Sequence, residues 1–340
     1  MIEGITDRAA WQHAPGHPLQ ICAADLPQLA ANEIRIRNAA IAINPIDWIL
    51  QEIALLPWLE YPAILGSDVA GEVEAVGAGV ERFKVGDRVI GQAVGTTVNQ
   101  PAQGAFQQRT IVLDHMAAPI PDDIAFADAV VIPLGLGTAA SGLYGRTQLA
   151  LAPPSHSRSA RDEVVLVWGG SASVGCNAIQ LAVASGYRCV ATASHHNAEL
   201  LKELGASEVI DYSSPTVVED VIRAVRGEPL AGTMHATGET NDCFAVVERC
   251  RGSRRVAATL PPPKERPAGI TATQISGTSL KDDEIGPIIY QDFLPRALAT
   301  RTFVPAPPAK VVGHGLESLQ FALEALKAGV SAAKVVVTLS

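Results

Sequence analysis

Val164-Val165-Leu166-Val167-Trp168-Gly169-Gly170-Ser171-Ala172-Ser173-Val174-Gly175 is the stretch from which the architecture can be read. An unbroken apolar run without polar alternation has the character of a strand buried on both faces of a parallel sheet. The run breaks at Gly169-Gly170, passes through small residues and continues into Asn177-Ala178-Ile179-Gln180-Leu181-Ala182, a helical segment. A strand, a tight loop and a helix start leave backbone N–H groups uncommitted at the positive end of the helix dipole, where a phosphate is the usual guest. The glycine spacing is not a strict G-x-G-x-x-G, so the context carries the reading. An ordinary strand–helix turn is one alternative. A hydrolase nucleophile elbow is another, but it needs G-x-S-x-G, and its fifth position here is Ser173.

Downstream, strands and helices alternate. Strands are expected at Arg188–Ala193, Glu208–Tyr212 and near 231–236, 253–260 and 269–276. Helices are expected over about 174–185, at Asn197–Leu204 (stopped by Gly205), near 216–226 and around 241–250. This alternation implies a right-handed parallel sheet. The last strand either pairs with its copy in a homodimer or is capped in a monomer.

An NAD site usually carries Asp or Glu at the end of the second strand, about 20 residues past the first glycine. Here that place reads Ala193-Ser194-His195-His196-Asn197, with no acid until Glu199. An acid would repel a 2′-phosphate, whereas a hydroxyl, an imidazole and an amide can donate to one. Tyr212, ending the third strand, can add its hydroxyl. NADPH is therefore the expected cofactor, although His196 also reads as an ordinary exposed loop histidine.

Upstream, residues 1–130 are rich in β-branched residues, Gly and Pro, with period-two strands such as Glu33–Ala39 and Asp68–Gly77. Residues 125–150 read as helical, in two pieces around Pro133 with the second running through Leu149, and 151–162 as a polar linker. Leu316–Lys327 is an amphipathic helix and Ala333–Leu339 a strand, which suits a tail that returns to close the first domain's sheet.

At 340 residues, about two domains are expected. The composition, 48% hydrophobic and 18% charged, is that of a globular protein with a full core. A net charge of −9 argues against nucleic acid or an anionic membrane as partner. Met1–Asp7 lacks the basic start and apolar block of a signal peptide, and no stretch approaches the ~18 apolar residues of a membrane helix, so a cytoplasmic location is expected. Five scattered cysteines without a C-x-x-C pair read as reduced thiols. None of the eight histidines stands in zinc-ligand spacing, so no metal site is expected. The basic run Arg249–Arg255 reads as a solvated turn.

The sequence resembles the medium-chain dehydrogenase/reductase superfamily over nearly its whole length. The likeness is strongest to the zinc-independent quinone oxidoreductase and enoyl reductase branch, and within it to the fungal trans-acting enoyl reductases. It is carried by Ala42–Trp48, Leu65–Gly71, Val85–Val89, Gly104–Phe106, Gly169–Gly175, Ser194–Asn197, Leu204–Ala206 with Asp211-Tyr212, and the tail. The resemblance implies an α/β protein with a GroES-like β-rich catalytic domain (1–130 and 303–340) and a Rossmann doubly wound parallel-sheet domain binding NADP (131–302), with the active site in the cleft. Zinc-dependent relatives carry Cys where Asn44 stands and His where Ser67 stands. They also have a four-cysteine lobe with no counterpart in 92–103.

By the same resemblance Ser171, Ala172, Ser173 and Val174 cradle the pyrophosphate. Ser194, His196, Asn197 and Tyr212 face the 2′-phosphate. Pro45 and Asp47 border the cofactor, and Thr259-Leu260 and Val312-Gly313 lie along its nicotinamide half. Asn44, Asp47 and Thr138 line the cleft near the reacting centre. Many relatives have Lys where this chain has Ile49.

The expected reaction is hydride transfer from NADPH to an activated C=C bond, in an enone or an enoyl thioester, free or carrier-bound. Without zinc the developing enolate oxygen needs hydrogen-bond donors, with Thr138 the first candidate and Asn44 the second. Thr138 can instead be a helix N-cap, and Asn44 before Pro45 can simply shape a turn. Reduction of a quinone, carbonyl or imine at the same site is the alternative activity, and an NADPH-binding role without turnover the more distant one. Apolar stretches at Ile53–Leu59 and Ile285–Leu294, with Trp58, Tyr290 and Phe293, suit a hydrophobic substrate and core packing equally.

Overall fold

The computed structural model describes residues 7–155 and 160–339. The N-terminal reading over residues 1–6 and the linker residues 156–159 fall outside them. The chain divides into two compact units, Met1–Leu134 with Pro308–Ser340, and Gly135–Pro307.

In the first unit the chain begins with β1 (Asp7–Gln12) and β2 (Gln20–Ala24), followed by β3 (Glu33–Ala42), β4 (Ala63–Ile64), β5 (Asp68–Val76), β6 (Arg88–Gln92), β7 (Arg109–Leu113) and β8 (Ala117–Pro119). β1 pairs with β2 and β4 in a small sheet. The strands β3, β5, β6 and β8 run side by side in a larger one, with β7 also on β3. Between β3 and β4 lies a helix, Pro45–Glu52, where the sequence suggested a turn.

The second unit is built on β9 (Val164–Trp168), β10 (Arg188–Ala193), β11 (Glu208–Asp211), β12 (Leu230–His235), β13 (Arg255–Ala258) and β14 (Thr271–Gln274). They form one parallel sheet in the order β11-β10-β9-β12-β13-β14. Every residue of β9 is buried, as the unbroken apolar run requires of a central strand. Val164, Leu166 and Trp168 pack into a cluster with Val221, Val225, Phe244 and Val247 from the helices Val217–Val225 and Thr240–Arg249. The order reverses at β9: the next strands lie to one side and β12 to the other. Ligands of open α/β sheets bind at the carboxyl ends of the strands beside such a reversal. β11 and β14 are the edge strands.

The chain then returns to the first unit with β15 (Ala309–His314), the helix Leu319–Lys327 and β16 (Lys334–Thr338). β16 lies between β15 and β3, completing the larger sheet.

Three expectations change. The helix Pro133–Tyr144 stops at Tyr144, short of Leu149, and Gly145 begins a turn closed by its N–H on the Ser141 carbonyl. Phe126–Tyr144, at 19 residues, is long and apolar enough to cross a membrane, which the sequence reading had not found. However, 78% of that window is buried inside the protein, the setting of a core helix. Of the apolar residues left open between substrate and core, Tyr290 is fully buried while Trp58 is 53% exposed.

Candidate active site

The candidate phosphate loop follows β9. Gly169 sits at φ +83°, and a Cβ there would lie 2.6 Å from Thr237 Cγ2. The loop is pinned from the neighbouring strand: Gly169 N–H donates to Thr192 Oγ1 (2.9 Å) and Gly170 N–H to the Thr192 carbonyl (2.7 Å). This explains a threonine in the apolar interior of β10. The helix Ser173–Ala184 starts directly after, with Ala172 at its N-cap. Alanine has no side-chain oxygen to cap with, so the first helical N–H groups are left for water or a ligand. Ser171, Ala172, Ser173 and Val174 are half-buried. Among the described residues, the buried Ser173 Oγ and Asn177 Oδ1 have no hydrogen-bond partner. A small-residue cradle, an uncapped helix start and an orphaned hydroxyl fit a bound pyrophosphate.

The second-strand group is brought together by strand register. Ala193 of β10 pairs with Asp211 of β11, so Ser194 and Tyr212 leave the sheet side by side, joined by Tyr212 N–H to the Ala193 carbonyl (3.3 Å). His196 and Tyr212 are exposed, Ser194 is half-buried and Asn197 buried. Sequence spacing hid an acid here. Asp211 lies against the His195–Asn197 turn, and its carboxyl is held below the usual carboxylate range first by the Ser213 hydroxyl and N–H, and also by the His195 N–H. Thr259 follows β13, donating its N–H to the His235 carbonyl (3.0 Å) and its hydroxyl to the Ala236 carbonyl (2.8 Å). Leu260 beside it is 57% exposed. Thr138 is buried in the interior of the helix Pro133–Tyr144, which rules out the N-cap role.

In the first unit, Val312 and Gly313 lie on β15, where the register against β16 shifts between Val311 and Gly313. Asn44 is the N-cap of the helix Pro45–Glu52, Pro45 is its exposed first residue, and Asp47 accepts the Asn44 backbone N–H (2.7 Å). The Asn44 side chain also bears on the Asp47 carboxyl and reaches two further groups. Its Nδ2 donates to Asp68 Oδ2 (2.8 Å), and its Oδ1 accepts from the Lys334 ammonium, which also pairs with Asp68 Oδ2 (2.9 Å). All four residues are buried: Asp68 is 0% and Lys334 4% exposed. Sequence reasoning missed both Asp68 and Lys334. The available signal was one lysine inside the apolar run Ala333–Val337, since a charge in a buried strand must find a partner.

Burial pushes the Asp47 carboxyl up to about 7. The Asn44 N–H pulls it down, the Asp68 charge adds to the rise, and the Lys334 charge opposes it. The native state therefore holds a proton that the unfolded chain releases near its ordinary value. This contribution to stability is complete in acid and is lost as pH rises through about 7. Relative to Asp47→Asn, the wild type should lose up to about 4 kcal/mol between pH 4 and 7. Thermal melts of both proteins across that range test this; parallel curves would refute it.

Among the described residues, no three His, Cys, Asp or Glu side chains gather as a metal-binding group. Residues 30–122 match the family model described as the alcohol dehydrogenase GroES-like domain, and 173–251 the one described as zinc-binding dehydrogenase. Dehydrogenase pigH of Monascus ruber is 45% identical, covering 98% of this chain and all of its own length. Trans-enoyl reductase himH of Aspergillus japonicus is 37% identical, over 100% of this chain and 99% of its own. An alcohol dehydrogenase superfamily protein from Novosphingobium aromaticivorans has the same fold, with a TM-score of 0.80 at 26% identity over 98% of this chain and 100% of that one. These similarities extend over the whole length and over both the β-rich and the parallel-sheet parts, and by them the chain belongs to the medium-chain dehydrogenase/reductase superfamily, with fungal dehydrogenases and trans-enoyl reductases among its relatives.

Proposed function

We propose that this protein is a zinc-independent reductase that uses NADPH to reduce an activated C=C bond, in an enone or an enoyl thioester, within a secondary-metabolite pathway. The observation that carries the reading is the pairing of an uncapped, glycine-lined helix start with Ser194, His196 and Tyr212 at the ends of the two adjacent strands. The first receives the pyrophosphate and the second a phosphate on the adenosine ribose.

Asp211 favours a second reading, NADH, because a carboxylate there would accept ribose hydroxyls. However, the Ser213 N–H (2.9 Å) and hydroxyl (2.7 Å), both on Oδ1, and the His195 backbone already draw on this carboxylate, and Ser194, His196 and Tyr212 supply donors for a 2′-phosphate beside it, so NADPH is preferred.

The residues do not fit zinc. A catalytic zinc needs several close N, S or O ligands. Where relatives place Cys and His, this chain has the amide of Asn44 and the hydroxyl of Ser67, and the amide oxygen is already in contact with the Lys334 ammonium. A fixed cation at that atom repels a dication.

The cofactor supplies the hydride. The protein's part is to hold the acceptor and to stabilise the oxygen that gains charge. Asn44 suits this: with its Oδ1 on Lys334, it has only N–H to offer a further group. The Thr138 hydroxyl is the other proposed donor, and water supplies the α-carbon proton.

The test is NADPH consumption against a panel of an enone, an enoyl thioester, a quinone, an aldehyde and an imine. Turnover of the first two, with NADPH bound at least about tenfold tighter than NADH and the preference lost in His196→Ala/Tyr212→Phe, is the expected result. Turnover of only the quinone, aldehyde or imine would move the activity to those classes. Tight binding without turnover on any would favour a non-enzymatic role. Equal affinity for NADH would overturn the cofactor assignment.

A further inference from the structure

We infer that Lys334 is a positioning residue that, with Asp68, locks the Asn44 carboxamide into the one orientation in which it acts as a hydrogen-bond donor. The inference rests on the proposed reductase reading for what that donor is for, and on the geometry of the first unit for how it is held.

Three strand ends make the arrangement. β16, β3 and β5 are neighbours in the sheet, with Val336 opposite Ala42 and Ala42 opposite Asp68. Lys334 begins β16, Asp68 begins β5, and Asn44 stands just beyond the end of β3 between them. The Ile43 N–H on the Val335 carbonyl (2.9 Å) holds the end of β3 against β16. An amide alone can be placed either way round, but these neighbours allow one choice. An ammonium has no lone pair, so the atom it meets must be Oδ1, and an ionised carboxylate has no proton, so the atom it meets must be Nδ2. Reversing the amide would set N–H against N–H and oxygen against oxygen inside a buried site.

Stability alone does not explain the pair. Two desolvated charges roughly break even with an apolar replacement of the same shape, and such replacements are often neutral or stabilising. Lys334 sits in a strand whose next residues, Val335, Val336 and Val337, are fully buried, so an apolar side chain would suit the position. What an apolar residue cannot do is hold Oδ1. The Lys334–Asp68 pair therefore serves Asn44: Oδ1 is held by Lys334, Nδ2 donates to Asp68, the amide also bears on the Asp47 carboxyl, and its orientation is fixed before any acceptor arrives. Such preorganisation is how a donor stabilises developing charge without reorganising during the reaction.

The experiment compares Asn44→Ala, Lys334→Arg and the charge-neutral double variant Lys334→Met/Asp68→Asn, each checked for folding by circular dichroism. Activity is read as NADPH oxidation with a crotonyl thioester. The double variant should lower kcat by at least about tenfold, no further than the roughly hundredfold expected of Asn44→Ala, with little change in the KM for NADPH. Lys334→Arg, which still donates to Oδ1, should restore kcat to within about threefold of the wild type. Added to Asn44→Ala, the double variant should cost almost nothing further, because its route runs through Asn44. Multiplying losses, or a rise in KM at constant kcat, would overturn the inference.

A second measurement needs no turnover. In protein labelled with 15N-asparagine, the Asn44 side-chain signal is assigned by its loss in Asn44→Ala. Its hydrogens should exchange with water at least about tenfold faster in Lys334→Met/Asp68→Asn than in the wild type. Unchanged exchange would refute positioning even if the thioester proves not to be a substrate, whereas faster exchange without thioester turnover would sustain positioning and remove only the proposed reaction.

Discussion

Replacing Gly175 by alanine is expected to weaken NADPH binding by at least about tenfold and to lower the melting temperature of the second unit by roughly 6–12 °C. A Cβ at this position would lie 2.3 Å from the Gly169 carbonyl oxygen and 2.7 Å from Gly170 Cα. Both are backbone atoms of the phosphate loop, so relief cannot come from a side-chain rotation. The loop must move away from the helix, taking with it the N–H groups proposed to meet the pyrophosphate. At the upper end of overpacking costs, about 3 kcal/mol, the midpoint shift follows from the size of the unit. Gly227→Ala is the control. Gly227 has φ +72° but nothing within 4 Å of a Cβ, so it carries the left-handed strain of about 1–2 kcal/mol without touching the loop. Isothermal titration and melting of the two variants separate space from conformation. An unchanged NADPH affinity in Gly175→Ala would remove the loop from cofactor binding.

Asp68→Ala should destabilise the first unit by about 3–5 kcal/mol, a fall on the order of 10 °C. The carboxylate is fully buried and serves three donors: Lys334, Asn44 Nδ2 and the Leu134 N–H. Removing it leaves an ammonium in the interior without its counter-charge, which costs far more than the pair contributes. Lys334→Met/Asp68→Asn should recover most of the loss, since it removes both charges together. Calorimetry of the three proteins checks this; a double variant as unstable as Asp68→Ala would show that charge balance is not the cause.

The parts of this architecture that follow a local rule were legible beforehand. The apolar run of β9 announced a central parallel strand, the residues after β10 were picked out by their distance from Gly169, and Tyr212 by its place at the end of the third strand. Strand register then explains why Ser194 and Tyr212, far apart in sequence, leave the sheet as neighbours. What sequence reading missed depends on contacts that no spacing reports. Asp211 was overlooked because the acid was sought on the second strand, while parallel pairing delivers one from the third. For Asn44-Pro45 a turn was one open reading, because Asn-Pro signals both a turn and a helix start, and the buried Asp47 accepting the Asn44 N–H decides for the helix. Lys334 and Asn44 meet across 290 residues, and only the sheet order brings them together.

The position of β16 also has a consequence in time. A ribosome adding about 5–20 residues per second makes Lys334 roughly 15–60 s after Asn44, the 290 residues between them setting the interval. Throughout that interval the Ala40–Ala42 end of β3 lacks the partner that β16 supplies, and Asp68 lacks the Lys334 ammonium. Gly135–Pro307 is a continuous segment and can be complete while the first unit waits. The nascent protein thus carries its finished parallel-sheet unit ahead of its half-built first unit. β16, made after the whole of that segment, joins β15 to β3 and delivers the charge beside Asp68.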